Sequence, residues 1–215
     1  MSDNQQSYRK VLNATSLFGG VQVINIIISL VRSKVIALLI GPFGMGISSL
    51  LLSTMQLING VTNLGLERSA VKDISLANND SNSQDVAKTI SVLKKLVWLT
   101  ITIGVILMIA LSPWLSEIAF GNKDYTISFI WISIALLFKQ LSSSQLAILQ
   151  GLRKLQYLAK ANLLGNFIGL LITLPLYYFF RIDAIVPAII IATFMSFIFT
   201  YYYSQKLDIA PVAIS

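Results

Sequence analysis

The chain contains no cysteine and no histidine. That removes disulfides, a thiol nucleophile, an imidazole acid or base, and the commonest ligands for zinc and haem. Charge is scarce as well: 12% of residues are charged, about half the share usual in soluble domains. What fills the chain is apolar, with 55% of its 215 residues hydrophobic and a mean hydropathy of +0.76. A spanning helix takes about 20 residues, so six of them use about 120 and leave short loops without room for a soluble domain. An ordinary water-soluble enzyme is excluded. The net charge of +7 would suggest nucleic acid in a soluble protein, but here its distribution across a membrane carries the information, and no nucleic-acid partner is expected.

Long apolar runs free of acids predict six transmembrane helices, over about 14–40, 46–65, 96–117, 127–149, 161–180 and 184–204. The expected fold is therefore an all-α membrane protein, one six-helix bundle over residues 1–215. Turn chemistry at Gly41-Pro42-Phe43-Gly44, Gly121-Asn122-Lys123-Asp124 and Arg181-Ile182-Asp183 alternates with longer basic segments, so neighbouring helices should form antiparallel hairpins. Segments on the side of the N-terminus hold eleven cations: Arg9, Lys10, Arg68, Lys72, Lys88, Lys94, Lys95, Arg153, Lys154, Lys160 and Lys206. The other side holds Lys123 and Arg181. By the positive-inside rule both termini are expected in the cytoplasm. Met1 to Tyr8 has no early basic region and no cleavage site follows, so the first helix is expected to stay in the mature chain. Ala77 to Gln84 reads as a solvated linker, followed by an amphipathic lead-in from Asp85 to Lys95.

Polar side chains are costly among lipid tails, so their spacing shows which helix faces meet protein or a water-filled cavity. Gln22, Asn25, Ser29 and Arg32 recur every three or four residues on one face of the first span. Ser49, Ser53, Gln56, Gly60 and Asn63 do the same in the second, with Asn59 beside them. Such stripes either pack helices together by hydrogen bonds or line a polar cleft. Three cations, Arg32, Lys34 and Lys139, fall inside spans. Arg32 and Lys34 either snorkel to the headgroups along a helix longer than the bilayer core or face a cavity. Lys139 lies in mid-span, followed by Gln140, Ser142, Ser143, Ser144 and Gln145, a patch unsuited to lipid. No Asp or Glu lies deep in any span. Cations without internal partners point to a cavity that takes an anion, with phosphate the natural candidate. The same lack argues against a proton relay. Gly165 and Gly169 form a small-xxx-small pair, and Pro175 and Pro187 are expected to interrupt the fifth and sixth spans.

Several stretches resemble one known family. These are Arg32-Ser33-Lys34-Val35-Ile36-Ala37 leading to Leu39-Ile40-Gly41-Pro42-Phe43-Gly44-Met45-Gly46, then Leu64-Gly65-Leu66, Phe120-Gly121-Asn122-Lys123-Asp124-Tyr125, Gln150-Gly151-Leu152-Arg153-Lys154, and Asn162 to Gly169. In this order they are similar to the O-antigen and polysaccharide translocases, flippases of the multidrug/oligosaccharidyl-lipid/polysaccharide exporter superfamily. The resemblance implies two six-helix lobes around a cationic cavity that opens alternately to either side of the bacterial inner membrane. It implies undecaprenyl-diphosphate-linked oligosaccharide as the substrate, membrane lipid as the surroundings, and no bond made or broken. Arg32 looks like the first-helix arginine that family members point into the cavity. With six spans the chain looks like an N-terminal lobe, which needs a second six-helix lobe, either a missing C-terminal half or another copy; a polysaccharide polymerase is a further candidate partner. The expected substrate-binding residues are Arg32, Lys34, Lys139, Asn25, Gln22, Gln56 and Asn59, with no catalytic residue, metal or cofactor. Two other functions fit such a bundle. A multidrug-type antiporter lobe would commonly need membrane carboxylates, and a non-transporting assembly protein would dock a polymerase or glycosyltransferase through basic cytoplasmic loops.

Overall fold

A computed structural model describes the backbone of residues 2–79 and 83–206, and the side chains of 19–79 and 84–206. Among the described residues there is no strand. The helices are α1 (Ser2–Asn63), α2 (Leu66–Asn79), α3 (Ser83–Ala110), α4 (Ser112–Phe120), α5 (Thr126–Gly151), α6 (Leu155–Phe180) and α7 (Ile185–Gln205), with one 3-10 turn at Arg181–Ala184 between the last two. Four helical segments are long and apolar enough to cross a membrane: Gly19–Asn63, Gln84–Ala110, Thr126–Gly151 and Leu155–Gln205. This is a multi-pass membrane protein.

Six separate spans were expected, and the difference lies in the turns. The first and fourth segments run for 45 and 51 residues, about twice a single span. Each bends within itself, at Gly41 and at Arg181–Ala184. Gly41 has φ 70° and ψ 179°, a conformation open essentially to glycine alone, and Pro42 disfavours a helical backbone at the residue before it. Arg32 and Ser49, Ser33 and Ser48, and Ile36 and Met45 line one cavity in positions mirrored about this turn. The third expected span, 96–117, is shorter at its far end: α3 stops at Ala110 and α4 restarts at Ser112 with Pro113 in its first turn.

Contacts between helices give their directions. Asn25 meets Asn166, and Arg32 lies in electrostatic reach of Tyr177, so the first half of α1 runs parallel to α6. Thr62 bonds Gln140, while Ile47 and Leu51 share a groove with Ile127 and Trp131, so the second half runs parallel to α5. Phe138 stacks near Phe194 and Phe197, aligning α5 with α7. α6 and α7 run antiparallel at very close range. A Cβ at Gly165 would sit 3.0 Å from the Ser196 Cα, and one at Gly169 would sit 3.6 Å from the Ala192 Cα. The small-xxx-small pair is therefore a packing seam.

Neither expected proline interruption occurs. Pro187 lies in the first turn of α7, where its missing N–H has no helical partner to lose, and α6 continues past Pro175 to Phe180. The linker expected over Ala77–Gln84 is also shorter than its composition suggested. Ala77–Asn79 end α2 and Ser83 opens α3, whereas residues 80–82 lie outside the described residues. The lead-in from Asp85 to Lys95 is helical and continuous with α3.

α2 is an amphipathic helix that the hydropathy of the chain does not reveal. Ala70 and Ile74 are buried, Leu66, Val71 and Ala77 pack beside them, and Arg68, Lys72 and Asp73 face outward. Their apolar partners are Leu93, Val97 and Ile101 of α3 and Ala147 and Ile148 of α5. α2 seats on the end of α5 so closely that a Cβ on Gly151 would come within 2.7 Å of the Ile74 Cβ and 3.2 Å of the Val71 carbonyl. Gly151→Ala should therefore destabilise the protein by about 1–3 kcal/mol, as overpacking does. Thermal unfolding in detergent tests this against Gly60→Ala, which meets open space in a helix and should be neutral or stabilising by up to about 1 kcal/mol.

Candidate functional site

Both halves of α1, together with α5, α6 and α7, enclose a half-open cavity of about 360 Å³. Its wall carries two cations, Arg32 and Lys139, and no carboxylate. Arg32 is half-buried; Lys139 is exposed yet lines the same space. The remaining polar wall is neutral: Ser33, Ser48 and Ser49 from α1, Ser142 from α5, Asn166, Thr173 and Tyr177 from α6, and Thr193 and Ser196 from α7. Ile36, Leu52, Ala188 and Ile189 supply apolar surface.

Many hydroxyls near this wall are already engaged, which separates structural polar residues from available ones. Thr193 donates to the carbonyls of Ile189 and Ile190, and Thr173 donates to Leu170. Ser53, part of the expected second-span stripe, donates to Ser49 and Leu50 carbonyls. Such bonds to the preceding turn allow a hydroxyl in a transmembrane helix without a second helix. A different pattern joins α5 to α7: Ser142 and Ser196 hydroxyls lie 3.1 Å apart and Thr200 donates to Ser142 at 3.3 Å.

The expected binding residues divide. Arg32 and Lys139 face one cavity. Asn25 stands at its margin, where its side-chain carbonyl accepts from the Asn166 amide at 3.2 Å, and Asn166 is itself a lining residue. Lys34 does not line the cavity and is exposed. Two residues turn a helix by about 200°, which carries Lys34 to the face opposite Arg32. Gln22 and Gln56 are exposed and outside the lining. Asn59 is half-buried, with its side-chain carbonyl shielded and without a hydrogen-bond partner. It lies one turn before Thr62, whose hydroxyl accepts from buried Gln140 at 3.1 Å, in a node between α1 and α5 that Gly104 of α3 closely approaches. Asn59 thus belongs to the neighbourhood of a packing contact and not to the cavity wall.

Sequence reasoning missed the α6 and α7 contributions. Asn166, Thr173 and Tyr177 are separated by seven and four residues, and Thr193, Ser196 and Thr200 by three and four. Both patterns repeat the periodicity noticed in the first two spans, and the same search would have found them. A chain without native cysteine allows the wall to be mapped directly. Ser49→Cys and Asn166→Cys should react with a water-soluble, anionic methanethiosulfonate about tenfold faster than Lys34→Cys or Leu38→Cys, because only a hydrated thiol ionises readily. Equal rates would remove the distinction between a wet, cationic face and a lipid face.

Comparison with known proteins adds one match. No curated protein and no solved structure matches the chain. A family model described as polysaccharide biosynthesis protein matches residues 11–211, which take in both halves of α1 and every helix that lines the cavity. The chain belongs to the polysaccharide biosynthesis protein family.

Proposed function

We propose that this protein is a transporter lobe that carries a diphosphate-linked oligosaccharide, attached to undecaprenol, across the bacterial inner membrane for O-antigen or related polysaccharide synthesis. The observation that carries this reading is a family member's cavity bearing two cations and no acid. A charge in mid-bilayer costs about 2.5–3.5 kcal/mol on insertion scales, and a protein retains one there where it pairs or serves a pathway. Arg32 and Lys139 have no acid beside them in the cavity, so a diphosphate supplies what the wall lacks. The neutral hydroxyls and amides suit sugar hydroxyls, and the lipid tail remains in the bilayer. The protein works as a carrier without making or breaking a bond.

In this reading the chain crosses the membrane six times as one lobe over residues 1–215. The two bent segments each cross twice, and both termini lie in the cytoplasm. Parallel pairing of the two halves of α1 with α6 and α5 supports that arrangement, as does the eleven-to-two division of cations outside the spans. The half-open cavity is completed by a second six-helix lobe, either a C-terminal half or another copy, and a polysaccharide polymerase receives the product. Arg32→Ala should lower export of the linked polysaccharide at least about tenfold, the scale of a lost charge-assisted hydrogen bond, while the amount of inserted protein stays constant. Export measured at the cell surface, normalised to membrane content of the protein, checks this; undiminished export would end the cavity's role.

A further inference from the structure

Tyr177 is the one phenol in the cavity wall. The residue is 4% exposed and belongs to the same apolar cluster as Ile185, Ala188 and Ile189 of α7. Phenylalanine would fill that space equally well, so packing does not account for the hydroxyl. Buried tyrosines ordinarily place their O–H on a partner. Among the described residues neither the Tyr177 hydroxyl nor the Arg32 guanidinium has a hydrogen-bond partner, yet the two groups are in electrostatic reach and line one cavity. Both therefore hold unused hydrogen-bonding capacity on the same side of an acid-free space.

Helix rise places these groups in order. The turns at Gly41 and Arg181–Ala184 and the start of α5 gather at one end of the bundle, where Ile47, Tyr125, Ile182 and Asp183 line a common groove. From that end, Tyr177 lies about 6 Å in, Arg32 about 14 Å and Lys139 about 20 Å, at 1.5 Å per residue. Side chains lean toward the N-terminus of their helix. On α6 and on the parallel first half of α1, the Tyr177 hydroxyl and the Arg32 guanidinium therefore both lean inward, and on α5 the Lys139 amine leans outward toward them.

We propose that Tyr177 is an anion-binding residue that works with Arg32: its unpartnered hydroxyl, on the same cavity wall as the guanidinium, donates to a phosphoryl oxygen of the ligand. A phenol O–H can donate to an anionic oxygen, as the guanidinium beside it does. As a neutral donor it adds a contact to the anion without placing a carboxylate in the cavity, where a fixed negative charge would repel the diphosphate. The inference rests on the anion-accepting reading of the cavity and assigns it a third donor.

The test uses the full chain in lipid nanodiscs with farnesyl diphosphate as the probe, which carries the anionic group and a lipid tail but no sugar. Tyr177→Phe should weaken binding about tenfold, as expected for a lost hydrogen bond to a charged group, with the unfolding temperature unchanged because the ring remains. In an Arg32→Ala background the same substitution should cost less than about threefold, since groups that hold one ligand atom together are not additive. If Tyr177→Phe binds as tightly as the parent while Arg32→Ala weakens binding, the role of Tyr177 is overturned and the cavity reading stands. If the parent chain itself does not bind the probe, both are overturned.

Discussion

Two positive charges share a space that contains no negative one, and much of the architecture around them can be understood from that imbalance. Arg32 comes from the first half of α1 and Lys139 from α5, helices that are far apart in sequence and line the same cavity. Neither can be neutralised by a neighbour in the wall, and arginine does not readily lose its proton. The surrounding helices respond with neutral dipoles. Serine, threonine, asparagine and tyrosine side chains from α1, α5, α6 and α7 soften the cost of the charges without cancelling them.

Around the cavity, the structure keeps the cost of polarity low by local means. Ser53, Thr62, Thr173, Thr193 and Thr200 each return a hydroxyl bond to a carbonyl three or four residues earlier. A hydrogen bond between helices in a membrane contributes on average about 0.6 kcal/mol, so a few such contacts steer packing more than they drive it. Close packing is left to small residues: Gly165 and Gly169 against α7, Gly104 against Thr62 and Gln140, and Gly151 against Ile74. Large apolar side chains such as Val23, Ile27, Leu30 and Leu38 face out of the bundle, as lipid contact requires.

Much of this was legible in the sequence because hydropathy and helical period are coarse, additive signals. The positions of the apolar runs, the turn residues at Gly41, Gly121 and Arg181, and the association of Arg32 with Lys139 were all within reach. Lys34 was within reach too, because two helical residues set it about 200° from Arg32, but membership of an apolar run gives only depth while the helical period decides which side a cation faces. α2 escaped because its apolar positions at 66, 70, 74 and 77 are diluted by Arg68, Lys72 and Asp73; a helix lying along a bundle has no need of the continuous hydrophobicity of one that crosses a bilayer. The expected break at Pro187 failed for a positional reason, since proline costs little in the first turn of a helix. The polar faces of α6 and α7 carried the same spacing as those of the first two spans and were legible, had the search extended to them.

The approach of α6 to α7 at Gly165 has a mechanical meaning. A methyl at Gly165 would lie only 3.0 Å from the Ser196 Cα, so any larger residue there has to push the two helices apart. α1 is held differently, by the Asn166 amide on Asn25 in its first half, by the Gln140 amide on Thr62 in its second, and by apolar contacts around its bend. The spacing of α6 and α7 is thus set where a side chain is missing, and that of α1 where polar side chains meet, at positions on either side of Arg32 and the bend.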